Sequence, residues 1–180
     1  MSDKYQLMPI AKVNGAWSVP DELLRGLWNK HEGCESFKKV FYDGAIANAE
    51  QWIEFLHSDK IYPVLVIANS VPPRIVSAAW MVPDLDRNIH IHYCPLTRIG
   101  WKVEIGKIII EYWKNFRDAD GTPLVLGVLS ITPAHYISAN KFLLRLGLKV
   151  VGVLPEHSTM AYEERRADMT VYYGRVGRDL

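Results

Sequence analysis

The chain has little with which to brace itself covalently. Its two cysteines, Cys34 and Cys94, lie far apart and form no Cys-x-x-Cys pair, so a disulfide framework and a thiolate metal site are both excluded as organising principles. An excess of one charge is also missing: 21 Lys and Arg stand against 20 Asp and Glu, and 21 − 20 = +1. Nucleic-acid binders concentrate positive charge on one face, so no nucleic-acid partner is expected. No apolar run approaches the roughly 18 residues that cross a bilayer, and Met1 to Gln6 lacks the apolar stretch of a signal peptide. A soluble, cytoplasmic protein without a membrane partner is the expectation. Internal repeats and long Pro/Gly-rich linkers are absent as well, which predicts one domain over 1–180. What remains is 49% hydrophobic and 23% charged residues in a chain of 180, enough for a sizeable core.

The first third reads as helical. Ser18-Val19-Pro20-Asp21 resembles a capping box and predicts a helix from Val19 to Lys30. A second is predicted from Glu35 to Tyr42 and a third from Ala47 to His57, where Trp52, Ile53 and Leu56 recur at spacings of three and four. The pattern then shifts to period two. Tyr62 to Ala68, Arg74 to Met81 and Ile89 to Tyr93 predict an antiparallel meander, the last strand placing His90 and His92 on one face and Ile89, Ile91 and Tyr93 on the other. A helix is predicted from Arg98 to Arg117, a buried strand from Leu124 to Leu129, a short helix from Tyr136 to Leu146 stopped by Gly147, and strands over Leu148 to Leu154 and Met169 to Tyr173. Glu156 to Asp168 reads as a polar loop. The class is mixed α/β.

The run from Ser138 to Val153, with a short helix ending at Leu146-Gly147-Leu148 before a strand, resembles the late segment of the GNAT superfamily of acyl-CoA-dependent N-acetyltransferases. The order of elements from Tyr62 to Gly174 is similar to that fold at lower resolution. The resemblance implies a central mixed sheet flanked by helices, with a splayed parallel pair formed by Ile89 to Tyr93 and Leu124 to Leu129. Residues 1–60 would be its variable amino-terminal helices and 61–180 its core. It implies acetyl-CoA as cofactor, a primary amine as acceptor, and a diphosphate held at the start of the long helix near Arg98, where backbone N–H groups and the helix dipole favour anions.

The family's phosphate loop runs Arg or Gln, two residues, Gly, one residue, Gly or Ala. Only Arg98 matches, with Trp101 and Val103 at the two small positions, or Gly100 and Lys102 if the loop is shifted by one. The implied cofactor segment is Tyr93 with Arg98, Ile99, Gly100, Trp101, Lys102 and Val103. Where many members carry an acidic Tyr after the helix Phe, Phe142 is followed by Leu143, which leaves Tyr136, Tyr93, water or no group to protonate the departing thiolate. Tyr136 occupies the position where the family's helix usually begins with Asn, one turn before Asn140. His92 is the candidate base. Cys94 reads as a buried structural residue, and no metal site is expected.

Two functions therefore stand open: acetyl transfer from acetyl-CoA to a primary amine, or a GNAT-like protein acting through protein contacts. The second resembles virion or head-assembly proteins of tailed bacteriophages and would be virion-associated. Trp17, Trp28, Trp52 and Trp80 lie where the family builds its acceptor site or dimer contacts, which allows a homo-oligomer, although ordinary packing accounts for them too.

Overall fold

A computed structural model describes residues 4–32, 34–163 and 165–180, with the backbone alone at 100 and 101. Its centre is a seven-stranded mixed sheet in the order β1-β4-β5-β6-β7-β9-β8. The predicted meander is present as β4 (Tyr62–Ala68), β5 (Arg74–Pro83) and β6 (Asn88–Pro95), paired antiparallel throughout. β7 (Gly127–Pro133) then lies parallel to β6, reached through α4 (Val103–Lys114), and β8 (Lys149–Met160) and β9 (Arg165–Arg175) complete the sheet. Among the described residues no helix is long and apolar enough to cross a membrane.

The two sheet faces carry separate apolar clusters, as period-two alternation requires of strands covered on both sides. Val64, Val66, Ala79, Met81, Ile89 and Ile91 face α4 and α5 (Ile137–Leu146). Leu65, Ala78, Trp80 and Cys94 face α1 (Asp21–His31), α2 (Glu35–Val40) and α3 (Ala49–Leu56). Trp28, Trp52 and Trp80 are buried in this second cluster, with Phe37 and Phe41 between them. These tryptophans are core rather than exposed surface.

Several expectations need correction. The first third is not helical alone: β1 (Tyr5–Pro9) pairs antiparallel with β4 at one sheet edge, and β2 (Lys12–Val13) with β3 (Ala16–Trp17) forms a small hairpin. Ser18 does not cap α1, whose cap is Pro20; its hydroxyl donates to the Pro9 carbonyl at 2.7 Å and accepts from the Ala11 N–H at 3.0 Å, tying that hairpin to β1. The long helix predicted from Arg98 is broken. Arg98–Trp101 is a 3-10 turn, Lys102 is extended (φ −73°, ψ 130°), and α4 begins at Val103.

β7 starts three residues later than predicted and runs four further. The amides of Leu124 and Leu126 bond instead to the carbonyls of Phe116 and Arg87, and pairing begins at Gly127, where a Cβ would come 2.2 Å from Asn88 Oδ1. The polar loop expected over 156–168 is largely a hairpin, in which Ser158, Thr159 and Met160 pair with Ala167, Arg166 and Arg165.

Candidate functional site

β6 and β7 are partners over three rows only, Asn88↔Gly127, Ile89↔Val128 and His90↔Leu129. Beyond them β6 stays with β5 and β7 with β9, so the sheet parts between the two strands. The parting holds a cavity of about 130 Å³, with Ile91 to Tyr93 on one wall and Ser130 and Ile131 on the other. Lys39 and Val40 of α2 border it on one side of the sheet, and Ala139, Phe142 and Leu143 of α5 on the other. A narrower crevice sharing Tyr93 and Phe142 continues towards α4. Gly106 makes that approach of α4 to α5 possible, since a Cβ there would lie 2.6 Å from Leu146 Cδ2.

Alternation along β6 places His90 and His92 on the face turned to α1–α3. The His92 ring stacks on Trp80 at 5.4 Å and meets His90 edge-on. Burial, aided by its neighbour His90, holds its pKa down to about 4, because a desolvated imidazolium is costly. His92 is therefore a neutral ring at the cavity. Tyr93 points to the opposite face and stacks on Phe142 at 4.8 Å. Burial pushes its phenol up, against a smaller opposing pull from the Ser77 hydroxyl beside it. Cys94 is 1% exposed and burial raises its thiol well above the usual range, which fits a packed apolar residue rather than a nucleophile.

Tyr136 is not at this cavity. As the residue preceding α5 it lines a second, wider hollow of about 600 Å³ with His135 and Glu163, and Lys39 borders both spaces. Its hydroxyl donates to Glu163 Oε1 at 3.3 Å, an oxygen also 3.2 Å from His135 Nε2, while Arg165 holds the other carboxylate oxygen. Burial and the Glu163 charge both raise the phenol. Asn140, one turn into α5, carries more structure than its sequence position signalled. Its amide nitrogen donates to the carbonyls of Pro133, Ala134 and Tyr136 at 3.1, 3.2 and 2.9 Å, and its oxygen accepts from the Tyr172 hydroxyl. It joins the end of β7, the start of α5 and β9.

The turn into α4 carries the remaining predicted residues. Arg98, Ile99 and Lys102 are exposed, and no side chain among the described residues caps the helix, leaving a dipole end with cations beside it. Val103 is half-buried and packs on the core formed with α4 and α5, so its side chain turns inward. Glu104 in the first turn is an opposing charge. The side chains of Gly100 and Trp101 lie outside the described residues, and the question of whether Trp101 crowds a diphosphate goes with them.

The fold matches solved acetyltransferases. A spermidine N-acetyltransferase from Vibrio cholerae, in complex with CoA and spermine, aligns with a TM-score of 0.72 at 10% identity over 97% of this chain and 96% of that one. A ribosomal L7/L12 alpha-N-protein acetyltransferase in complex with coenzyme A gives 0.73 at 10% identity over 97% and 96%. The microcin C7 self-immunity acetyltransferase MccE, in complex with acetyl-CoA and AMP, gives 0.70 at 13% identity over 97% and 94%. No protein-family model and no curated protein matches the sequence. The architecture is thus the GNAT acetyltransferase fold.

Proposed function

We propose that the protein is an N-acetyltransferase that passes the acetyl group of acetyl-CoA to a primary amine by direct attack in a ternary complex. The observation that carries this reading is the parting between β6 and β7. It makes a cavity bordered by helices on both faces of the sheet, so two reactants can meet there from opposite sides. The likeness of fold to acetyltransferases solved with CoA or acetyl-CoA supports the choice of donor.

The chain's residues fit that donor. The open start of α4, with Arg98 and Lys102 beside it and Val103 turned inward, suits a diphosphate. Acetyl-CoA supplies the activated acyl group. Backbone groups of β6 that face the gap, with no strand opposite them past His90 among the described residues, orient the acyl carbonyl and stabilise charge developing on its oxygen. His92 is neutral at physiological pH, so its ring offers a lone pair to an N–H of the amine. The burial that keeps it neutral makes it a transient carrier of the proton. Holding both reactants in one small cavity supplies much of the acceleration.

Isothermal calorimetry with CoA and acetyl-CoA, followed by thiol release across a library of amines, tests the reading. Binding and turnover with at least one amine are expected. No heat with either nucleotide would instead favour a protein acting through protein contacts.

A further inference from the structure

We propose that Ser130 is a catalytic residue of the transfer, its hydroxyl donating to the departing sulfur; the assignment rests on the acetyltransferase reading above. Three hydroxyl side chains border the cavity: Tyr42, Tyr93 and Ser130. Tyr42 is engaged with Ser158 of β8, and burial raises its phenol. The Tyr93 hydroxyl lies beside Ser77 of β5, and β5 is on the far side of β6 from β7. Ser130 is 6% exposed and borders the cavity from β7.

The position on β7 fits the role. Ser130 is two residues beyond Val128, which packs in the cluster facing α4 and α5, and alternation turns Ser130 to that same face. His92 is turned to the other, so the two polar groups bracket the parting from opposite sides. The short helix offers the apolar Ala139, Phe142 and Leu143 to the cavity, and the Tyr136 hydroxyl is bonded to Glu163 in the neighbouring hollow.

The step balances without another reagent. The amine nitrogen forms a bond to the acyl carbon, and the carbon–sulfur bond breaks with its electron pair going to sulfur. The proton lost by the nitrogen passes to the His92 ring, the Ser130 hydroxyl proton moves to the sulfur, and the proton held by His92 returns to the serine oxygen through water. The products are an amide and a free thiol, with Ser130 restored.

Ser130→Thr and Ser130→Val have the same shape and differ in the hydroxyl, and thermal melts check that both fold. With acetyl-CoA and an accepted amine, Ser130→Thr should keep kcat within a few-fold of the wild type. Ser130→Val should lose on the order of tenfold to a hundredfold in kcat with little change in the KM for the amine, as expected for a hydrogen bond to a developing charge. An independent readout is the thiolate absorbance of bound CoA followed against pH: the bound thiol should ionise at higher pH in Ser130→Val than in Ser130→Thr. If CoA binds and the two variants agree in kcat and in thiol ionisation, this assignment is wrong while the acetyltransferase reading survives. If the wild type does not bind CoA, both are wrong.

Discussion

A neutral histidine packed on a tryptophan makes this fold sensitive to acid. The unfolded His92 ring takes up a proton below about pH 6.5, whereas in the folded protein burial delays protonation to about pH 4. Between those values the unfolded chain binds more protons, so stability must fall as pH falls through the window. The displacement corresponds to on the order of 3 kcal/mol for His92, and burial of His90 acts in the same direction. Urea denaturation should show a marked loss between pH 7 and pH 4.5. His92→Phe, which keeps a ring against Trp80, should flatten the slope without abolishing it; an unchanged slope would mean that the ring is not desolvated as described. The histidines were legible because strand alternation alone puts them on one face. Their environment was not, since Trp80 meets His92 only through the pairing of β5 with β6.

The segment from β7 through α5 to β8 is held by its two ends. At the start, Asn140 bonds to three carbonyls and to Tyr172. At the finish, Gly147 takes φ +106°, and a Cβ there would meet the Asp179 carbonyl oxygen at 2.5 Å. Gly147→Ala therefore combines an unfavourable backbone conformation with a clash against main chain. It should cost about 1–3 kcal/mol, read as a drop in the midpoint of thermal or urea unfolding; a neutral outcome would require the carboxy-terminal residues to move aside. This helix end was readable from Leu146-Gly147, because a left-handed cap selects glycine. β7 was misread for an equally physical reason. Its later residues, Ser130 and Thr132, break the apolar pattern, and Ser130 does so because it borders the parting in the sheet.

The assembled molecule places an apolar edge and an open middle in one sheet. β8 exposes Val150, Val151 and Val153 at 50–59%, while the interior parts between β6 and β7. Any ligand that fills the parting binds only the folded form. Saturating acetyl-CoA, at about a hundred times its Kd, should stabilise the protein by about 2.7 kcal/mol and raise the thermal midpoint; a midpoint unmoved by acetyl-CoA would count against the proposed donor site. Order and type of most elements could be read along the chain, because period-two and period-three-to-four apolar patterns are local consequences of burial. β1 escaped, as Met8 and Pro9 gain their strand conformation from pairing with Leu65 and Val64, far along the chain. The same limit applies to the site. Composition and spacing were sufficient for a mixed α/β chain, a helix ending at Gly147 and two histidines side by side on a strand. Tertiary packing alone separated Tyr136 from His92, turned Val103 into the core and set Ser130 at the cavity, because each depends on which distant strand or helix lies opposite, and local sequence carries no record of that neighbour.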